Sequence, residues 1–244
     1  MRYTIATAAA IALASFGCSH DPTSAAVTAD APKTVSGATI GERIHNVPVD
    51  GLPSVGDPRA LVTVVEFSDY ECSYCRATAP IISKVLASYG GEVRLVVAQR
   101  PMRQHDRARP AALAALAAAE QGRFESMNAR LLAGPLDDAA IARAAADIGL
   151  DRVRFEEDER GAAVQALDRS SALGKRIGVP GIPWLFINGR LVIGEASFDA
   201  LRAVIDERLA AARALVASGV AAQDVYARTV AHGAEQVELD DSGC

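Results

Sequence analysis

The pattern of apolar positions predicts two strands joined by a helix in the first half of the chain. Leu61–Phe67 and Val93–Ala98 are nearly continuous apolar runs, which is typical of strands buried on both faces of a sheet. Between them, the segment from Cys72 to about Tyr89 is predicted to be helical and ends at Gly90-Gly91. The order strand, helix, strand predicts a β–α–β unit with two parallel strands.

The middle of the chain is predicted to be wholly helical, and the last part returns to strands. Helices are predicted near 109–120, 123–133, 138–147 and 160–177. Trp184–Ile187 and Arg190–Ile193 flank Asn188-Gly189, a strong signal for a β-hairpin. Ser197 is predicted to cap a final long helix that reaches about Ser218. The pattern therefore predicts an α/β fold with a helical segment inserted between two strand-containing halves.

The N-terminal residues have the features of an export signal. A positive start at Met1-Arg2 precedes an apolar stretch that is too short to span a bilayer, so 1–17 is expected to be a signal peptide. The stretch ends at Gly17-Cys18, which resembles a bacterial lipobox and predicts acylation of Cys18. The expected mature protein is exported to the periplasm or cell envelope and is held at a membrane by this lipid.

Composition divides the remainder into three parts. Residues 18–42 are rich in Ala, Thr, Ser, Pro and Asp and are predicted to be a flexible tether. Residues 43–218 form the predicted domain, with its helical insertion at about 102–177, and 219–244 form a C-terminal helix and acidic tail. The net charge of −5 argues against nucleic acid as a partner, because phosphate binding requires clustered basic residues.

The spacing of two cysteines carries the candidate chemistry. Cys72 and Cys75 form a C-x-x-C at the start of the predicted helix, where positions i and i+3 share a face. The helix N-terminus favours a thiolate, so an exposed Cys72 is expected to attack disulfides. A zinc site would need about four ligands, and the four histidines are scattered along the chain without a second C-x-x-C. One of them, His105, is predicted to be a solvated loop residue without a role.

Two segments resemble DsbA-type thiol–disulfide oxidoreductases, which have a thioredoxin fold with a helical insertion. Phe67–Cys75 is similar to the active-site segment of that family, and Gly178–Gly189 is similar to its cis-proline segment. The resemblance implies that Cys72 is the nucleophile and Cys75 the buried resolving thiol. It also implies that Pro183 is cis and lies against the cysteine pair, where Ile182 presents its backbone to an extended substrate.

The sequence departs from the family pattern at two positions beside these residues. Many relatives have Pro where this chain has Ser73, and Thr where it has Ile182, so the redox potential and the direction of electron flow are left open. Tyr74 and Trp184 are expected to form an apolar substrate rim, whereas Phe186 is expected to pack in the core.

Glu66 is an acid within an otherwise apolar predicted strand. A strand covered by helices has little solvent-exposed surface, so Glu66 is expected to be buried with a raised pKa. Such a group can act as a general acid or base near neutral pH. The resemblance places the family's buried acid at this position, beneath the second cysteine, and implies that Glu66 accepts the proton of Cys75.

The expected function is dithiol–disulfide exchange with exported client proteins, in cooperation with a membrane redox partner that recycles the disulfide. No bound cofactor is expected, since the Cys72–Cys75 disulfide is itself the redox group. The short, low-complexity N-terminal segment disfavours an isomerase with a folded dimerisation domain, and oxidase is favoured over reductase. Two alternatives remain open: a non-catalytic binding module or chaperone with a structural disulfide, and a metallochaperone that uses the thiol pair.

Overall fold

The computed structural model describes residues 33–35, 38–194 and 196–238, which form a mixed sheet covered by helices. The strands are β1 (Lys33–Val35), β2 (Ala38–Ile44), β3 (Ser54–Val55), β4 (Val62–Ser68), β5 (Val93–Gln99), β6 (Trp184–Ile187) and β7 (Arg190–Gly194). The helices are α1 (Ser73–Ser88), α2 (Ala108–Glu120), α3 (Phe124–Ala133), α4 (Asp138–Asp147), α5 (Arg152–Arg160), α6 (Ala162–Arg176), α7 (Phe198–Ala217) and α8 (Val225–Val230). The strand order is β1-β2-β7-β6-β4-β5-β3.

The central strand β4 connects the two halves of the fold. It pairs in parallel with β5 and antiparallel with β6, and all seven of its residues are buried. Its side chains alternate between two apolar clusters, with Val62 and Val64 in one and Val65 and Phe67 in the other. The predicted β–α–β unit and the strand buried on both faces are therefore confirmed. The predicted hairpin is also confirmed, because β6 and β7 pair directly across Asn188-Gly189.

The insertion contains one helix more than predicted. The segment 160–177 was expected to be the fourth helix, but the structure has α5 before it, with a boundary at Gly161. Seven of the nine residues of α5 are charged and only Phe155 is buried, so its sequence lacks the apolar period that marks a helix. Asp151 caps this helix, since its side chain accepts a hydrogen bond from the Arg154 backbone N–H.

Strand β2 starts earlier than the predicted domain boundary at residue 43. Strand β2 pairs antiparallel with β7 and buries Ala38 and Ile40 in the larger apolar cluster. The Arg190 side chain of β7 lies across it and donates hydrogen bonds to the Gly41 carbonyl at 2.9 Å and to Glu42 at 3.0 Å. Part of the predicted tether is therefore an edge of the sheet. Small residues and Thr gave this strand the composition of a linker.

The segment after α7 also packs on the domain. Tyr226 of α8 is buried and donates a hydrogen bond to the Val47 carbonyl at 2.6 Å. Farther on, the Val237 N–H donates to the Ile177 carbonyl at 2.9 Å. The predicted signal peptide, the lipidation site Cys18 and the last cysteine, Cys244, lie outside the described residues. Within the described ranges, no helix combines the length and the apolar character needed to cross a membrane.

Candidate active site

The two cysteines of the C-x-x-C occupy different environments at the start of α1. Cys72 is the N-cap residue, directly before the first helical residue Ser73, and its carbonyl accepts a hydrogen bond from the Arg76 N–H at 3.0 Å. Cys75 lies in the first turn and is fully buried, whereas Cys72 is 6% exposed, and both are free thiols. The predicted position at a helix N-terminus is confirmed. The prediction of an exposed Cys72 is wrong, because the residue is buried at the start of the helix.

That turn is held by the carboxylate of Asp69, a residue that the sequence did not single out. One Asp69 oxygen accepts a hydrogen bond from the Glu71 N–H at 2.8 Å. The other lies 2.9 Å from the Met102 backbone nitrogen and 2.8 Å from His105 Nδ1. The loop before the cysteines is thereby tied to the loop between β5 and α2. His105 is not the freely solvated residue that was predicted, because this contact keeps its side chain 23% exposed.

Beneath Cys75 lie two polar side chains from the same face of β4. Glu66 and Ser68 are two residues apart in the strand, so their side chains point to the same side of the sheet. The Ser68 hydroxyl donates a hydrogen bond to Glu66 Oε1 at 3.0 Å. Glu66 is 3% exposed and Ser68 is 4% exposed. The predicted burial of Glu66 is confirmed.

Burial governs the ionisation of this group of side chains. Burial raises the pKa of Glu66 to about 7, opposed by the hydrogen bond from Ser68. Burial also raises the pKa of Cys75 above its ordinary value, and the negative charge of Glu66 raises it further. A proton held by Cys75 is therefore difficult to remove while Glu66 is ionised. Near neutral pH, Glu66 can both accept and release a proton.

The proline loop reaches the same end of β4. The Ile182–Pro183 peptide bond is cis, as predicted. Trp184, the next residue, pairs with Phe67, so Pro183 is level with the end of the strand from which the cysteine loop departs. Arg100, directly after β5, strengthens this junction because its guanidinium donates to the Val179 carbonyl at 3.1 Å.

The expected apolar rim is smaller than predicted. Tyr74 is 57% exposed beside the cysteines, and Ile182 is partly buried. Trp184 is only 5% exposed and belongs to the smaller apolar cluster, so it packs inside the protein and does not line a rim. Phe186 is fully buried, as expected. Among the described residues, no group of three or more His, Cys, Asp or Glu side chains could hold a metal ion.

The comparison with known families agrees with this geometry. A family model described as thioredoxin matches residues 49–207, which contain both the cysteine pair and the cis-proline. The chain belongs to the thioredoxin family. Its helical insertion lies between the two halves of the family fold, so the predicted α/β thioredoxin fold with an all-helical insertion is confirmed.

Solved structures of bacterial proteins share this arrangement. A thioredoxin-like oxidoreductase from Silicibacter pomeroyi DSS-3 is 30% identical with a TM-score of 0.59, over 65% of this chain and 92% of that one. A periplasmic thioredoxin-like protein from Salmonella enterica serovar Typhimurium is 26% identical with a TM-score of 0.58, over 66% of this chain and 91% of that one. The thiol-disulfide exchange protein alpha-DsbA2 from Wolbachia pipientis shares the fold at 24% identity and a TM-score of 0.60, over 66% of this chain and 89% of that one.

Curated relatives of similar sequence are much longer than this thioredoxin-family chain. The Na(+)/H(+) antiporter NhaA 3 of Salinispora tropica is 40% identical over 194 residues, which are 74% of this chain and 28% of that protein. The Na(+)/H(+) antiporter NhaA 1 of Salinispora arenicola is 38% identical over 175 residues, which are 68% of this chain and 26% of that protein. The chain thus spans about a quarter of the length of these relatives.

Ser68, Asp69 and His105 complete the site but were not predicted to take part in it. Each is a common loop or strand residue, and nothing in its local pattern indicates a contact across the fold. The spacing could have indicated Ser68, because it follows Glu66 by two positions in a predicted strand, which places both side chains on one face.

Proposed function

We propose that this protein is a thiol–disulfide oxidoreductase that exchanges disulfides with exported client proteins through Cys72 and Cys75. The observation that carries the proposal is the different setting of the two thiols. Cys72 is the N-cap residue of α1, whereas Cys75 is fully buried and the negative charge of the buried Glu66 raises its pKa. A structural disulfide would need neither the helix N-terminus nor the buried acid, but nucleophilic attack and resolution use both.

The proposed reaction passes through a mixed disulfide. When the protein acts as a reductant, the Cys72 thiolate attacks a client disulfide, and one client sulfur leaves as a thiolate. The Cys75 thiolate then attacks Cys72 Sγ, which forms the Cys72–Cys75 disulfide and releases the second client thiolate. When the protein acts as an oxidant, the same steps run in reverse. Glu66 accepts the proton of Cys75 in the first direction and returns it in the second.

The exposed ring of Tyr74 and the backbone of Ile182 beside the cis-proline are the proposed contacts for an extended client segment. We place the protein in the periplasm or cell envelope, anchored by a lipid on Cys18, and expect a membrane redox partner to recycle the pair. The redox-active disulfide is the only redox group required. We propose that oxidation of clients is favoured over reduction, and the reduction potential of the cysteine pair tests this direction.

Trapping of the mixed disulfide tests this proposal. In cells, Cys75→Ser is expected to accumulate client proteins linked to Cys72, since the resolving thiol is missing. The adducts should disappear on reduction and should be absent from the matched Cys72→Ser variant. The Cys72→Ser/Cys75→Ser double variant measures adducts formed by Cys18 or Cys244. Equal adduct levels in Cys75→Ser and in the double variant would contradict the proposed exchange.

A further inference from the structure

The helical insertion contains a cavity that the proposed disulfide exchange does not use. This insertion cavity lies between α2, α4 and α5 and has a volume of about 350 Å³, within the range of about 300–1,000 Å³ that is typical of ligand sites. Its apolar lining comes from all three helices and from the loop before α5, and consists of Pro110, Ile141, Ala145, Leu150 and Phe155. The cavity is open to solvent along α4, because Ala142 and Ala146 also line it and are exposed.

The polar lining of the insertion cavity is mainly acidic, with three carboxylates and one guanidinium, those of Asp138, Glu156, Glu159 and Arg152. Arg152 Nε lies 3.6 Å from Glu156 Oε1, and Asp138 forms a salt bridge with Arg107. Among the described residues, Glu159 forms no salt bridge. Partial burial raises the pKa of Glu159, and the negative charge of Glu156 raises it further. A cation at this position therefore finds a carboxylate that has no salt-bridge partner of its own.

The acidic end of the insertion cavity lies toward the cysteine pair. Arg107, directly before α2, connects the two: its backbone N–H donates a hydrogen bond to Glu71 Oε2 at 2.6 Å, and its guanidinium pairs with Asp138. Glu71 directly precedes Cys72 in the chain. Asp138 is the first residue of α4, and its negative charge acts on Glu159. The apolar part of the cavity therefore extends away from the cysteine loop along α4.

We propose that the insertion cavity is a second binding site for client proteins, which takes an apolar side chain together with a neighbouring Lys or Arg. The apolar side chain packs against Ile141 and Phe155, where its burial is favourable. The Lys or Arg pairs with Glu159 at the acidic end, on the side of the cysteine loop. This role rests on the proposed disulfide exchange and adds to it a preference for the sequence of the client.

A client segment fits the insertion cavity better than a second copy of this chain does. The chain has a net charge of −5, so its own surface is on average repelled by an acidic lining. A client that is bound in the cavity by one segment also keeps its cysteine near Cys72, because the acidic end lies toward the cysteine loop. Attack on the cysteine then takes place at a raised effective concentration.

Peptides that carry one cysteine as a disulfide with thionitrobenzoate test this proposal. The Cys72 thiolate attacks the peptide sulfur, forms a mixed disulfide and releases thionitrobenzoate, which is followed by its absorbance. The protein carries Cys18→Ser, Cys75→Ser and Cys244→Ser so that Cys72 alone reacts. Gly-Ser spacers of increasing length separate the peptide cysteine from a Lys-Leu pair. Once the spacer is long enough to reach the cavity, Lys-Leu should react about 10-fold faster than Lys-Ser and about threefold faster than Glu-Leu.

Variants of the insertion cavity locate the preference. Each peptide rate is divided by the rate of the same variant with dithionitrobenzoate, a small disulfide that cannot reach from Cys72 to the cavity, so that a general defect cancels. Ala142→Leu fills the mouth of the cavity and should reduce the gain from Leu to within about twofold. Glu159→Lys should remove the advantage of Lys over Glu. Ala139→Leu and Glu157→Lys are the matched controls, because both residues are exposed on the same helices outside the lining, and they should retain both preferences.

The possible outcomes separate this proposal from the proposed function. Equal rates for the three peptides at every spacer length would overturn the second site and leave disulfide exchange intact. A preference that survives both Ala142→Leu and Glu159→Lys would also overturn it, because the selectivity then lies elsewhere. A dimer in analytical ultracentrifugation that Ala142→Leu makes monomeric would assign the cavity to a second copy and overturn the proposal. Failure of Cys72 to react with any peptide or with dithionitrobenzoate would instead contradict disulfide exchange itself.

Discussion

The two ends of β4 both bury polar side chains, but the two sets of groups differ in kind. At the N-terminal end, Asn188 accepts a hydrogen bond from the Thr63 N–H at 2.8 Å and donates one to the Leu61 carbonyl at 2.9 Å. Arg94 Nε donates to the Thr63 hydroxyl at 2.9 Å. At the C-terminal end, the buried Glu66 accepts a hydrogen bond from Ser68, and the negative charge of Glu66 raises the pKa of the Cys75 thiol.

The polar groups at the N-terminal end of β4 stabilise the fold, whereas those at the C-terminal end can take part in a reaction. Asn188 satisfies backbone groups that would otherwise be buried without partners, as the interior of a sheet requires. Glu66 and Cys75 instead have ionised forms that burial disfavours. A fold selected for stability alone has no use for such groups. The polar residues at the N-terminal end of β4 therefore hold the hairpin in place, whereas those at the C-terminal end can bind and release protons.

The largest expected effect on stability comes from a substitution at the N-terminal end of β4. Asn188→Ala leaves the Thr63 N–H and the Leu61 carbonyl without their side-chain partner, and Asn188 has a φ of 44°, which Ala adopts less readily. The free energy of unfolding should fall by about 3 kcal/mol, because each unsatisfied buried group costs about 1–3 kcal/mol. Denaturant unfolding measures the loss. The rate at which the reduced cysteine pair reacts with dithionitrobenzoate should remain unchanged in the folded variant, and a slowed reaction would contradict the division between the two ends.

Glu66→Gln should have the opposite effect on stability. The pKa of Glu66 is about 7 in the folded protein and about 4.5 in the unfolded chain. The folded state therefore binds more protons between these values, and wild-type stability should fall as pH rises from about 4.5 to 7. Gln does not titrate, so the stability of the variant relative to wild type should rise across this range by up to about 3 kcal/mol. Unfolding curves at several pH values measure this difference, and a pH-independent difference would show that Glu66 is not buried as an acid.

The smallest effect is expected outside β4, at the contact between the two loops. His105→Ala removes one of the donors to Asp69 but leaves those from the Glu71 and Met102 N–H groups. We expect a loss of about 1.5 kcal/mol, the lower end for one hydrogen bond to a charged group, because the His105 side chain is partly exposed. The rate at which reduced Cys72 reacts with dithionitrobenzoate should change little, because Asp69 keeps its hydrogen bonds from the Glu71 and Met102 N–H groups. A loss of stability greater than that of Asn188→Ala would show that the loop contact matters more than the hairpin.

Patterns that are local in sequence predicted most of the fold. The buried runs of β4 and β5, the Asn188-Gly189 turn and the C-x-x-C at the start of α1 all have short-range signals. The burial of Glu66 also followed from its place in an apolar strand. The early start of the domain at β2 could not be predicted in this way, because that strand is stabilised by pairing with β7, which lies about 150 residues away in sequence.

The parts of the site that were missed depend on contacts between distant segments. Asp69 and His105 are separated by 36 residues and meet only because the loops after β4 and β5 lie side by side. Trp184 was expected at a rim because aromatic residues beside an active site can contact substrates. Its strand is buried on both faces, and that burial depends on the packing of the helices and of the C-terminal segment.

The reduction potential of the Cys72–Cys75 pair tests the central claim most directly. The protein is equilibrated with glutathione mixtures of defined ratio, and the oxidised fraction of the pair is read by alkylation and mass spectrometry. We expect a two-electron transition between about −270 and −120 mV, the range of thiol–disulfide oxidoreductases, with the less negative end indicating an oxidase. A potential below about −300 mV would mark the pair as a structural disulfide and contradict the account.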